Sequence, residues 1–352
     1  KKNPSMSNLI IVYVYFRWFT FMIRSLIMKI GTHNGAFHCD EVLACAMLKK
    51  LPAYKDAEIV RTRDPEILDT CDIVVDVGGT FDPEKHRYDH HQKTFEHTLA
   101  SLIPGKPFET KLSSAGLIYA HFGKELLKQI IQTQDEALVE KIYDKVYEKF
   151  MEEVDANDNG IATHDGKARY AVTTTLASRV ANLRPHWNDP SQNFDEGFFK
   201  AMDLVWPEFE ERIKFYAQVW WPAREIVAKS LENRFNVHSS GKIILLENGG
   251  CPWKEHLYEL EEEQGIENEI LFVIFTDQNG TWRVLAVGVK GEGFKSRMAL
   301  KEDWRALRDQ ELSDKSGIEG CIFVHASGFI GGNKTQNGAM EMAIQTMNAA
   351  KV

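Results

Sequence analysis

Arg87-Tyr88-Asp89-His90-His91-Gln92 sets an acid and two consecutive imidazoles just downstream of Asp72-Ile73-Val74-Val75-Asp76-Val77-Gly78-Gly79. The upstream run is too apolar to face water and reads as a buried strand ended by a glycine pair. Further back, Ala57-Glu58-Ile59-Val60 is a second strand candidate and Met28-Lys29-Ile30 a third. The third leads through Gly31-Thr32-His33-Asn34-Gly35-Ala36-Phe37-His38-Cys39-Asp40-Glu41 into Val42, Leu43, Ala46, Met47 and Leu51 at helical spacing. Asp40 and Glu41 therefore stand at a helix start, where the macrodipole favours carboxylates. Strands alternating with helices predict an α/β fold with a mainly parallel sheet, and such sheets carry functional residues at the C-terminal ends of their strands. His33 and Asp76 both fall there.

Downstream, Ser113–Gln132 and Asp135–Val154 are amphipathic stretches, followed by the turn-rich Asp155-Ala156-Asn157-Asp158-Asn159-Gly160. A helical region from about 194 to 233 contains Pro207 and Pro222, which are expected to break or kink it. Beyond it Ile243–Glu247, Ile270–Thr276, Trp282–Val289 and Gly320–His325 read as strands of a second α/β unit. Gln278-Asn279-Gly280 between two apolar runs signals a hairpin. Ala326 to Thr335 reads as a glycine-rich loop opening a closing helix, a feature suited to an anion. The expected layout is a targeting or disordered segment at 1–29, a catalytic domain at 30–193, a helical connector at 194–234 and a smaller α/β domain at 235–352.

With 352 residues, 43% hydrophobic and 26% charged, the composition is that of a folded globular protein long enough for two cores. The net charge of −9 argues against a surface that grips a phosphate backbone everywhere, so any nucleic-acid site must be local. Cys39, Cys45, Cys71, Cys251 and Cys321 are odd in number and never form a C-x-x-C pair. That argues against a disulfide framework and a zinc knuckle, and predicts a reducing intracellular compartment. Leu9 to Met28 is nearly continuously apolar but carries Arg17 and Arg24 and no acid. Its length of ~20 residues would span a bilayer, although Arg17 near the centre costs ~2.5–3.5 kcal/mol. An acid-free segment with Arg, Ser and Thr also suits a mitochondrial presequence, and Met6, Met22 and Met28 leave a later translation start open. A targeting or disordered segment without stable membrane insertion is the expectation.

The chemistry gathers in His33, His38, Asp40, Asp76, Asp89, His90, His91 and either Asp155 or Asp158. Imidazoles and carboxylates without thiolates suit manganese, iron, cobalt or zinc, and a carboxylate-rich set favours manganese or magnesium. Three or four carboxylates with neutral histidines balance most of the charge of two divalent ions, the count of a two-metal phosphoryl-transfer site.

These segments resemble the four motifs of the DHH phosphoesterases: His33 through Asp40, Asp76 after a hydrophobic strand, Asp89-His90-His91, and an acid near Asp158. Within that superfamily the chain is similar to the melanocyte-proliferating-gene exonuclease family. The likeness runs through Ile30-Gly31-Thr32-His33-Asn34-Gly35, Phe37-His38-Cys39-Asp40-Glu41, Val74-Val75-Asp76-Val77-Gly78-Gly79 and Tyr88-Asp89-His90-His91-Gln92. It continues in Cys251-Pro252-Trp253-Lys254-Glu255-His256-Leu257 and His325-Ala326-Ser327-Gly328-Phe329-Ile330-Gly331-Gly332. The resemblance implies a 3′-5′ RNA exonuclease with mitochondrial and nuclear populations, two bound Mn2+ (Mg2+, Co2+ or Zn2+ as alternatives) and an RNA or short-oligonucleotide substrate. Homo-oligomer formation stays open. It implies Asp89, His90 and His91 as catalytic and His33, Asp40, Asp76, His90 and Asp158 as metal ligands, with Asp155 competing for the last place. It further implies a phosphate-contacting role for His91, and Arg305, His325, Ser327, Gly331, Gly332 and Lys334 as substrate-binding. His38 departs from the superfamily, standing where an acid is usual. If it binds metal, affinity is expected to fall below about pH 6.5, where imidazole protonates. Pyrophosphate or a small nucleotide as substrate, and a non-catalytic RNA-binding role, are the alternatives.

Overall fold

The computed structural model describes residues 27–247 and 249–350. The expected targeting segment falls almost wholly outside them. Among the described residues no helix is long and apolar enough to cross a membrane. The chain forms two compact units, the first ending at Ala217 and the second beginning at Gln218.

In the first unit β1 (Lys29–Thr32), β2 (Glu58–Arg61), β3 (Ile73–Val75), β4 (Phe81–Asp82) and β5 (Arg87–Tyr88) form one sheet in the order β2-β1-β3-β5-β4. β2, β1, β3 and β5 run parallel, and β4 pairs antiparallel with β5 at the edge. Ile73, Val74 and Val75 are all buried, as a central parallel strand covered on both faces requires. Helix α1 (Cys39–Leu48) has every residue buried, so its apolar residues go all the way round rather than along one stripe. It packs against α2 (Ser114–Ile131). After α3 (Glu136–Val146) the helix does not stop where the turn-rich sequence suggests. It passes through a π-helical turn at Tyr147–Met151 into α4 (Glu152–Asp158), so Asp155 and Asp158 lie on a helix and not in a loop. Gly160, at φ +67°, ends it. α5 (Leu176–Ala181) and α6 (Phe194–Phe215) complete the unit, α6 also packing on α1.

Pro207 lies inside α6 without ending it. The carbonyl it deprives of a partner belongs to Asp203, and both residues are exposed, so the lost bond lies on the surface and not in the core. Pro222 sits in the first turn of α7 (Trp221–Glu232), directly after a π-helical turn at Tyr216–Trp220.

The second unit holds β6 (Ile243–Leu246), β7 (Phe272–Thr276), β8 (Trp282–Ala286), β9 (Cys321–Val324) and β10 (Ile330–Asn333) in the order β6-β7-β8-β10-β9. Only β6 and β7 are parallel. The β7–β8 hairpin turns through Gly280 at φ +73°, the conformation the Asn-Gly pair anticipates. Helix α8 (Lys254–Gln264) packs against α7, α9 (Asp309–Ser316) against β9, and α10 (Gln336–Ala349) against β7, β8 and β10.

Candidate metal centre

Because β1, β3 and β5 are neighbours running the same way, the residues that follow them converge. His33 follows β1, Asp76 follows β3, and Asp89-His90-His91 follows β5. Asp40 and Glu41 come in on the first turn of α1, and Asp158 on the last turn of α4. Asp76 adopts φ +60° and is followed by Gly78 and Gly79 at +97° and +65°. Aspartate tolerates this left-handed region better than most residues, and such conformations collect at functional sites.

Asp76 bridges the two imidazoles. Its Oδ2 lies 3.3 Å from His33 Nε2 and its Oδ1 3.2 Å from His90 Nε2. His33 Nε2 is also 3.0 Å from Glu41 Oε1, and His90 Nε2 is 3.1 Å from Asp158 Oδ2 and 3.8 Å from Asp40 Oδ2. Three overlapping groups result, each with donor atoms within 4.8 Å of one another: His33, His38, Glu41 and Asp76; Asp76, His90 and His91; His38, Asp40 and Asp158. Buried polar atoms are normally paired. Here Asp40 Oδ1, Asp76 Oδ1 and His90 Nε2 are buried without a hydrogen-bond partner. The 3.2 Å approach of His90 Nε2 to Asp76 Oδ1 is not aligned as a hydrogen bond, so both atoms are left available to a common third group. Buried, unpartnered nitrogen and carboxylate oxygen donors fit a divalent metal.

Protonation tells the same story. Burial pulls the His33 imidazole down, but hydrogen bonds to Asp76 and Glu41 overcome it and carry it up to about 10. His90 likewise reaches about 10, burial being outweighed by Asp158 and Asp76. Burial pushes Asp76 up, and the two imidazoles overcome this and hold it at about 2. Asp40 is driven well above the carboxylate range by burial and by the charges of Asp76 and Asp158. The surrounding carboxylates thus hold both imidazoles toward their protonated form.

The surrounding residues fix this geometry. Asp89 accepts from Gly79 N at 2.6 Å and lies 2.7 Å from His91 Nδ1, which holds the His91 ring and the glycine turn together. Ser114 donates its hydroxyl to Asp40 Oδ2 at 2.7 Å. Asp155 stands apart from all three donor groups. Its Oδ1 accepts from Ser113 N and Oγ at 2.9 and 2.7 Å and its Oδ2 from Tyr147 OH at 2.9 Å. Burial raises its pKa to about 7, with Ser113 and Tyr147 opposing. Asp155→Ala is expected to strand three buried donors and cost at least about 3 kcal/mol. Urea unfolding measures this; full stability with loss of bound metal would instead make Asp155 a ligand.

The sequence reading omitted Glu41 from the metal ligands. Its carboxylate also accepts from His38 N at 2.8 and 3.0 Å, so it caps α1 while facing His33. The His-x-x-Glu spacing at a helix start was the available signal. Beside the centre lies a cavity of about 410 Å³ lined by His38, Cys39, His91, Asp158, Ser178 and Arg184. A larger depression of about 590 Å³ in the second unit, near Glu225, Lys229 and Asn233, gathers none of this chemistry.

The residues expected to bind substrate in the second unit are placed differently from the anticipated loop. Gly331 and Gly332 lie inside β10, paired with β8 and β9. A Cβ on Gly331 would meet Met342 and Leu300 at 2.8 and 2.9 Å, and one on Gly332 would meet Arg283 and Phe323 at 2.8 and 3.0 Å. The glycine pair thus answers to close packing in a strand. His325 and Ser327 are exposed and joined at 3.0 Å, Lys334 is exposed, and Arg305 donates Nε to Leu300 O at 3.0 Å. Trp253 and His256 are buried, and His256 Nε2 bonds Trp220 O at 2.7 Å.

The family model described as "Uncharacterised protein family (UPF0160)", that of the MYG1 exonucleases, matches residues 29–347. The chain belongs to this family. It is 60% identical to the mouse MYG1 exonuclease over 321 residues, covering 91% of this chain and 84% of the mouse protein. The human MYG1 exonuclease is 59% identical, with 91% and 85% covered. A MYG1 protein of Saccharomyces cerevisiae is 43% identical, with 90% and 94% covered. The matched span includes every residue of the metal centre.

Proposed function

We propose that this chain is a metal-dependent phosphodiesterase of the DHH type that shortens RNA from its 3′ end with two divalent ions, manganese foremost. The observation that carries the reading is the Asp76 carboxylate, which turns one oxygen toward each imidazole and belongs to two of the donor groups. The name exonuclease, borne by the mouse and human relatives, supports it. His33, His38, Asp40, Glu41, Asp76, His90 and Asp158 would hold the ions. Bound there, the ions supply charge that stabilises phosphoryl transfer and activate water near neutral pH. Asp89 orients His91 through Nδ1, leaving Nε2 for a phosphate oxygen or the leaving-group proton. Arg305, His325, Ser327 and Lys334 are proposed as phosphate contacts of the second unit. Residence in mitochondria, the nucleus or both follows as a proposal, as does homo-oligomer formation.

Shortening of a 5′-labelled RNA with and without manganese tests this, with Asp89→Ala and His90→Ala expected to lose the activity. Unchanged shortening in both variants overturns the reading. The net charge of −9 favours a second reading, in which a small phosphoester is the substrate. Competition between a 20-mer and a dinucleotide separates the two.

A further inference from the structure

Between α4 and α5 the chain runs from residue 159 to 175 without helix or strand. Unstructured connections longer than ~12–15 residues are uncommon in compact domains and, where they occur, are usually either functional loops or linkers. Both ends are anchored at the cavity beside the metal centre, which is lined by Asp158 before the loop and by Ala177 and Ser178 after it. A second exposed stretch, from His186 to Asn188, begins two positions after Arg184, another cavity residue, and includes Trp187.

The charge balance of this segment is opposite in sign to that of the chain as a whole. Residues 159–193 carry Lys167, Arg169, Arg179 and Arg184 against Asp165 and Asp189 alone, a net positive stretch in a chain of net charge −9. Arg179 is taken up by Glu208. Lys167 and Arg169 are exposed, and no carboxylate among the described residues engages them. Tyr170 is 78% and Trp187 92% exposed. Burial of so little ring surface contributes almost nothing to folding, so the core does not account for these side chains. A lone exposed aromatic needs no explanation. Two of them with two free cations, on chain tied to one cavity, match the composition of a single-strand binding track, in which aromatics stack on bases and cations follow the phosphates.

We propose that the 159–193 segment receives the single-stranded part of an RNA substrate next to the metal centre, Tyr170 and Trp187 stacking on unpaired bases and Lys167 and Arg169 meeting phosphates. The proposal rests on the phosphodiesterase reading and deepens it. It explains how a protein of acidic net charge accepts a polyanion, because carboxylates are sparse where the strand lies. It also predicts a substrate preference, since paired bases have no free face to stack and a duplex should bind worse than a single strand.

The test is fluorescence anisotropy of a labelled single-stranded 20-mer RNA in EDTA, so that binding is read without turnover. Tyr170→Ala with Trp187→Ala is expected to raise Kd roughly tenfold or more. Lys167→Ser with Arg169→Ser is expected to flatten the salt dependence by about 1.4 in the log–log slope. Phe294→Ala, removing an aromatic that is 106% exposed in the second unit, serves as control and should leave Kd unchanged. A Kd within about twofold of wild type in both double variants overturns the proposal, as does an equal loss in the control. Dinucleotide cleavage by the wild-type chain is measured in parallel and reports on the phosphodiesterase reading alone. Strand binding that weakens in the variants of a chain that cleaves nothing sinks that reading and leaves the platform standing.

Discussion

Asp76→Asn is expected to lower metal affinity, and RNA shortening with it, by more than roughly 100-fold, beyond the 10–100-fold that outer partners of a metal site command. Asparagine is the informative replacement because it also tolerates the left-handed conformation that Asp76 occupies at φ +60°. Alanine would add backbone strain to the loss of a ligand. The amide keeps the shape of the carboxylate but removes the charge that faces His33 at 3.3 Å and His90 at 3.2 Å. One substitution therefore weakens both halves of the centre, whereas loss of His33 or Asp158 touches the partners of only one imidazole. Titration calorimetry with manganese reads the affinity directly. An Asp76→Asn chain that binds metal as wild type does would show that the two groups meeting at this carboxylate are not a metal site.

The parts legible in the sequence are those set by local pattern. The alternation of apolar runs and helical spacing between Met28 and Gln92 gave the parallel order of β1, β3 and β5 its rationale. Residues just past parallel strands gather at one edge, which is why His33, Asp76 and His90 could be grouped before their distances were known. The other features depended on contacts distant in sequence. Asp155 and Asp158 look equivalent in a string of acids and asparagines. Only the fold shows that Asp155 meets Ser113 and Tyr147 while Asp158 meets His90. Glycines read as a loop by composition, yet Gly331 and Gly332 are needed where β10 passes Met342, Leu300, Arg283 and Phe323. Glu41 resembles any acid in a first helical turn until His33 is found 3.0 Å away.

Manganese affinity is expected to rise steeply with pH, by up to roughly 100-fold per unit between about pH 7 and 9, as two protons leave the centre for each loading event. The sequence expectation of a fall-off below about pH 6.5 concerned His38, should it bind metal. His33 and His90 add a loss of affinity on acidification that begins at higher pH, because both hold their protons to about 10 between carboxylates. A metal ligand must be neutral imidazole, so binding competes with those protons until they are gone. Calorimetry in buffers of different ionisation enthalpy counts the protons released, and a count near zero at pH 7.5 would refute the account. The same groups set the stability of the metal-free protein, with a definite sign. Their folded pKa values lie above the unfolded value near 6.5, so their contribution is complete below pH 6.5 and is lost as pH rises toward 10. Asp40, also raised, acts in the same direction. The metal-free chain should therefore lose Tm from pH 6.5 to 10, and added manganese should restore it most at the alkaline end, where the protons that oppose binding have already left.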